Sequence, residues 1–157
     1  MQIQTTRFGE LTVDPDAVLT FTQPVIGFPE HRRYVLLDGP EGSSLFWLQS
    51  TEQGDLAFLL MNPRDVAKDY RVQMDQHELT ELAVSSADEL EVFTLLVVPD
   101  DRSKIRTNLK APVLINRKHR LGKQTVLERS DYPIQFFLNT AQREPQAEEA
   151  ANARSDA

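Results

Sequence analysis

Apolar and polar residues alternate with a period of two in one short run after another, which is the spacing of half-buried strands rather than of helices. Residues 2–6 alternate from the start, and 9–13 resume after Phe8-Gly9, predicting an opening hairpin or bent strand pair. Asp14-Pro15-Asp16 reads as a turn, and Val18 and Thr20 then alternate against Leu19 and Phe21 in a strand over 18–21. Strands follow at 33–37 and 45–49, separated by the turn residues of 38–42 and followed by Gln53-Gly54-Asp55. Residues 56–61 are almost continuously apolar, which predicts a strand buried on both faces, and Asn62-Pro63 ends it. Residues 72–74 read as a brief extended piece. A strand over 91–98 carries bulk on both faces and closes at Pro99-Asp100-Asp101. Runs at 105–109, 112–116, 122–128 and 133–138 complete the set.

The period changes once, over 75–84. Asp75 can cap a helix there, and Glu78 stands at capping-box spacing. Leu79, Leu82 and Ala83 would then share one face, with Glu78, Thr80 and Glu81 facing away and Ser85-Ser86 stopping the run. Many short strands, turn signals roughly every eight to twelve residues and one short helix predict an all-β (mainly β) fold. The expected form is a single compact β-barrel-like domain over 1–139. Beyond it, 140–157 contains no large apolar residue. Such a segment cannot bury enough surface to offset its ordering entropy, so it reads as a disordered acidic tail.

Two stretches interrupt the alternation. In Thr107-Asn108-Leu109-Lys110-Ala111-Pro112-Val113-Leu114-Ile115-Asn116, Pro112 lacks an N–H and pushes Ala111 towards extended backbone. The plain physical reading is a strand–kink–strand corner bracketed by two asparagines that bond backbone locally. In 23–29, two prolines and a glycine break regular structure around Val25, Ile26 and Phe28. Those side chains either plug the end of the barrel or form an exposed apolar contact. Phe46 and Trp47 point to opposite faces of one strand. A core tryptophan is the expectation, and an exposed one would be a binding anchor.

Composition narrows the chemistry. The 157 residues include no cysteine, which excludes disulfides, thiolate nucleophiles and cysteine-ligated zinc, and permits a reducing compartment. The N-terminus lacks the basic-then-apolar pattern of a secretory signal, and no apolar run is long enough to span a membrane, so the cytoplasm is the expected address. The formal net charge of −7 disfavours nucleic acid on average and favours basic partners. The three histidines, His31, His77 and His119, have no metal-ligand spacing on one element, and no nucleophile elbow, phosphate loop or glycine fingerprint is present. No catalytic, cofactor or metal residues are therefore assigned. The one basic cluster, Arg117-Lys118-His119-Arg120 with Lys123, falls at a hairpin tip without interleaved aromatics. It leaves open a barrel that binds RNA directly through 117–123. A cleft assembled from distant carboxylates would make an enzyme instead.

The Asn108-to-Asn116 run resembles the signature segment of the FliW family, in which Asn-Leu-x-Ala-Pro-x-x-x-Asn is typical. Other pieces fall in matching order: Arg7-Phe8-Gly9, Gly27-Phe28-Pro29-Glu30, Leu48-Gln49-Ser50, Asn62-Pro63, and Gln124 with Val126-Leu127. The likeness covers about residues 1–138. The family more often has Gly-Phe-Glu where this chain has Phe28-Pro29-Glu30, so the backbone is expected to differ there. The resemblance implies a non-enzymatic flagellar assembly factor that is monomeric when unbound. Its implied partners are flagellin and the small RNA-binding translational regulator CsrA. Sequestering CsrA would relieve repression of flagellin mRNA, and accumulating flagellin would capture the factor and restore repression. The implied action lies away from the regulator's RNA groove, and no direct nucleic-acid or membrane contact is implied. On this basis Phe28, Glu30, Asp100, Asp101, Asn108 and Lys110 are the candidate partner contacts.

Overall fold

Strand pairing closes on itself in the computed structural model of the chain, which describes residues 1–138. The eleven strands are β1 (Gln2–Thr5), β2 (Gly9–Thr12), β3 (Leu19–Phe21), β4 (Arg33–Asp38), β5 (Phe46–Ser50), β6 (Ala57–Met61), β7 (Glu91–Val97), β8 (Arg106–Thr107), β9 (Val113–Asn116), β10 (Leu121–Gln124) and β11 (Phe136–Phe137). The order β3-β4-β5-β6-β7-β9-β10 returns to β3, giving a closed seven-stranded barrel. Every pairing is antiparallel except β10 with β3, where Leu121 and Gly122 lie beside Thr20 and Phe21. Closure removes the exposed ladder edges that an open sheet would leave. β7 forks: its first half, Glu91 to Phe93, pairs with β9, while Leu96 and Val97 pair with β8, which in turn takes β11. β1 and β2 form a separate ribbon, packed through Ile3 and Val13 onto Val35 on the outside of β4.

Alternation carries Phe21, Tyr34, Leu48, Leu60, Phe93 and Ile115 into the barrel, where all are buried. Gly122 makes this filling possible, since a Cβ there would lie 2.5 Å from Cε1 of Phe21. β6 is covered on both faces as expected, with Leu60 inside and Met61 outside both buried. Phe46 points inward and meets Phe93 edge-on at 5.5 Å. Trp47 corrects the expectation of a core tryptophan. It faces outward, half-buried beneath the ribbon's tip, with the Arg7 guanidinium 4.2 Å from its ring centroid and Phe8 edge-on at 6.0 Å. The ribbon supplies this cover, and it is a tertiary contact that strand periodicity does not encode.

Among the described residues there is one α-helix, α1 (Gln76–Glu81), shorter than the expected 75–84. Asp75 caps it, accepting from the Glu78 N–H at 2.8 Å. Its far end closes by the Schellman pattern, with Val84 N–H donating to Leu79 C=O at 3.0 Å and Ala83 N–H to Thr80 C=O at 3.0 Å. Ala83 takes φ 59 to make that turn. Leu82, just past the last turn, is fully buried against Leu90 and Leu114. Residues 72–74 form no strand. β8, β10 and β11 are also shorter than their apolar runs suggest. The expected tail, 140–157, lies outside the described residues. No helix among the described residues is long and apolar enough to cross a membrane.

Candidate protein-docking surface

Strand direction sorts the candidate residues. The C-terminal ends of β3, β5, β7 and β10 share one mouth of the barrel with the N-terminal ends of β4, β6 and β9. The loop after β3, carrying Phe28 and Glu30, and the loop after β7, carrying Asp100 and Asp101, both emerge there.

The first loop divides its apolar residues between burial and exposure. Val25 turns into the barrel and is buried in the core. Its C=O accepts from the Phe28 N–H at 2.9 Å, and Gly27 at φ 95 supplies backbone that an L side chain resists. The intervening Ile26 is thrown outward and is 58% exposed. Phe28 lies edge-on to Phe58 at 5.0 Å, yet 37% of it remains exposed. Across a shallow groove from Ile26 runs the segment after β10, where Val126 is 44% exposed. Pro24, Pro29, Gln124 and Glu128 are among the other residues that line the groove. Val97 and Val98, at the C-terminal end of β7, are also exposed at this mouth. Apolar side chains gathered on one face are the usual mark of a contact surface.

The other candidates divide. Glu30 and Asp100 are exposed and have no side-chain bond among the described residues. Asp101 is exposed but engaged in capping a short 3-10 turn. Its Oδ1 accepts from Ser103 Oγ at 2.6 Å and from Ser103 N–H at 3.0 Å, which holds its carboxyl below the usual range. Asn108 and Lys110 are half-buried and occupied internally. Asn108 Oδ1 accepts from the N–H groups of Lys110 at 3.0 Å and Ala111 at 3.1 Å, and Lys110 Nζ donates to Ser130 C=O at 2.9 Å. Asn116 donates through Nδ2 to Leu82 C=O at 2.8 Å and accepts His119 N–H at 3.2 Å. The signature run is thus the corner that its proline predicts, with both asparagines satisfying backbone groups at its ends.

The basic cluster is largely neutralised. Arg117 forms a forked pair with Glu91, one arm at 3.1 Å, and Arg120 meets Asp16 at 3.2 Å. Lys123 reaches Glu81 at 2.9 Å and Glu78 at 3.4 Å, and all three side chains are mostly buried. This corrects the reading that Glu78 and Glu81 face solvent. The helix lies along β10, and its acidic face meets the one lysine that the strand turns outward. Glu78 also accepts from Thr125 Oγ1 at 2.8 Å, so its carboxylate is committed to β10 rather than to a reciprocal cap. Burial pushes the Glu81 carboxyl up, but the Lys123 bond and charge with the Thr22 and Gln23 side chains together hold it below its usual range. Among the described residues, no three His, Cys, Asp or Glu are placed to hold a metal ion.

Ile26 and Val126 are each exposed over a larger fraction of their surface than Phe28, and neither is among the six candidate partner contacts named from the sequence. The cue for Ile26 is its place in a Pro/Gly-broken loop. Val126 gives none, because 122–128 reads as an uninterrupted strand.

The family described as FliW protein matches residues 2–138. A flagellar assembly factor FliW from Natranaerobius thermophilus is 40% identical over 139 residues, covering 88% of this chain and 92% of that protein. One from Magnetococcus marinus is 33% identical over 156 residues, covering 98% and 95%. A crystal structure of the flagellar assembly factor FliW aligns with TM-score 0.80 at 28% identity, covering 88% of this chain and 96% of that one.

Proposed function

The chain belongs to the FliW family of flagellar assembly factors, and from this premise we propose that it acts in the cytoplasm by binding flagellin and a CsrA-type translational regulator. Bound to this chain, the regulator releases flagellin mRNA for translation. Flagellin, once it accumulates, takes the chain away and repression returns. The observation that carries this reading is the exposed group Ile26, Phe28 and Val126 at one mouth of a closed barrel. An apolar group of this kind, rimmed by polar residues, suits protein contact better than chemistry. The net charge of −7 favours a basic RNA-binding protein as one of the partners. The rival reading, RNA bound directly through 117–123, is weakened by the carboxylates that already hold Arg117, Arg120 and Lys123. Phosphate contacts would have to displace those partners.

Immobilised chain titrated with purified flagellin and with the regulator tests the proposal. Both should bind the wild-type chain, which runs as a monomer alone, and an Ile26→Asp, Val126→Asp double variant should lose at least one of them while melting normally. Wild-type affinity of that variant for both partners would remove this surface from the mechanism. A gel shift of flagellin leader RNA by the chain alone would favour the rival.

A further inference from the structure

We propose that Gln124 is the positioning residue of the docking loop, setting the pose in which Ile26 is offered to a partner; this rests on the reading that Ile26 and Val126 form the contact. Gln124 ends β10 and is 6% exposed. Its side-chain carbonyl accepts from the Ile26 N–H at 2.9 Å, and its amide nitrogen donates to Ala111 C=O at 3.0 Å. The two partners fix the amide's orientation, since a backbone N–H only donates and a backbone C=O only accepts. One side chain thereby links the loop to the corner over 108–112, and it stands two residues before Val126, which lies in the segment leaving β10. Both walls of the groove are referred to the same anchor.

The loop's other ties lie mostly at its two ends, where the Thr22 and Gln23 side chains reach Glu81 and Arg32 N–H donates to Glu52 at 2.8 Å. Thr22 N–H donates to Gly122 C=O at 2.9 Å on one side, and Phe21 N–H to Arg32 C=O at 2.7 Å closes the other. Between them, Val25 is held by burial, and Phe28 is held by its bond to Val25 and its contact with Phe58. Burial of Val25 is non-directional, so it fixes depth but not the rotation of the peptide that follows. The peptide between Val25 and Ile26 is fixed by two bonds: its C=O accepts from Phe28 N–H inside the loop at 2.9 Å, and its N–H donates to Gln124, the bond of the two that ties it to the barrel. Gly27, at φ +95 and with no heavy atom within 4 Å of where a Cβ would stand, would otherwise let the peptide swing. An apolar side chain would fill the same space and leave both backbone groups without this partner.

Two substitutions separate positioning from stability. Gln124→Met keeps the length and removes both bonds. Gln124→Glu keeps an acceptor for Ile26 N–H but turns an oxygen towards Ala111 C=O, so it should lower Tm as much or more. Stopped-flow association with flagellin and with the regulator is read beside Tm and hydrogen exchange at the Ile26 amide. If the competent pose falls to about a tenth of molecules, Gln124→Met binds about tenfold more weakly to the Ile26-dependent partner, mostly through slower association. Gln124→Glu should stay within about twofold of wild type with its Ile26 amide protected. Parallel loss of binding and Tm in both variants would reduce Gln124 to a structural residue and overturn the proposal. Should Gln124→Met fail to fold, Gly27→Ala strains the loop without touching Gln124 and should slow association likewise; an unchanged rate overturns the proposal. Wild-type binding by Ile26→Asp would overturn the docking reading and this proposal together. Weakened binding by Ile26→Asp with normal binding by Gln124→Met would overturn this proposal alone.

Discussion

Ala83 sits at φ 59, in the left-handed region, at the position where glycine usually closes a helix. It is exposed, so nothing about packing requires its methyl group. A non-glycine residue there costs about 1–2 kcal/mol, of which the extra unfolded-state freedom of glycine cancels roughly half. Ala83→Gly should therefore stabilise the chain by about 0.5–1 kcal/mol in urea unfolding. A loss of stability would mean that the methyl group makes a contact worth more than the backbone strain. Asp101 makes the opposite point about single residues. From the sequence it is one of two adjacent carboxylates that read alike, but in the fold one of its oxygens holds Ser103, whereas the Asp100 side chain makes no such bond among the described residues.

Helix α1 is held to the barrel by two different forces. Leu82 buries itself under β9 and β10 with Leu90 and Leu114, while Glu78 and Glu81 clasp Lys123. Lys123→Met leaves two nearly buried carboxylates without their cation and should cost about 2–3 kcal/mol near neutrality, short of the figure for a fully buried pair. The pH dependence follows from the directions of the shifts. The Glu81 carboxyl is held below its ordinary 4.5, so its contribution is full above that value and disappears as pH falls through the lower, folded value. Burial pulls the Lys123 amine down, but Glu81 and Glu78 outweigh it and hold it above 10.5. Its contribution is therefore full below 10.5 and is lost only as pH rises through the higher, folded value. Urea unfolding of wild type and Lys123→Met should differ most at neutral pH and converge on acidification below the carboxylate range. A gap that persists unchanged at low pH would show that the lysine's methylenes, not its charge, hold the helix.

At the scale of the molecule, closure of the barrel sends four loops and strand ends to one mouth, and the exposed Ile26, Phe28, Val97, Val98 and Val126 collect there. Glu30 and Asp100 stand at the same mouth and are available to steer a basic partner. Steering acts mainly on the association rate and is screened by salt. Glu30→Lys with Asp100→Lys should slow association with the regulator at low ionic strength, and the difference from wild type should shrink as salt is raised. Equal rates at both ionic strengths, in a variant that melts normally, would exclude these two carboxylates. Residues 140–157 supply no large apolar side chain. Truncation after Asn139 should leave Tm and both partner affinities unchanged, as calorimetry and titration would show; a clear drop in either would make the segment part of the working protein.

Local chemistry was sufficient for what depends on neighbours in the chain. Alternation along 18–21 and 33–37, the Asp75 cap and the kink at Pro112 all operate within a few residues, and each is found where the sequence puts it. The same periodicity says nothing about which strand lies beside which. The fork in β7, the parallel seam of β10 with β3 and the ribbon laid over Trp47 are pairings between distant segments, decided by how whole faces bury together. Acidic residues on a helix read as solvent-facing because no pattern announces a lysine 42 positions away. Val126 reads as strand because its exposure depends on the barrel mouth, not on its own neighbours. The sequence alone therefore determined most of the elements and their order, though not the ends of the shorter ones. The tertiary structure decided which apolar residues were left outside, because burial is a property of the closed surface and not of any one stretch of chain.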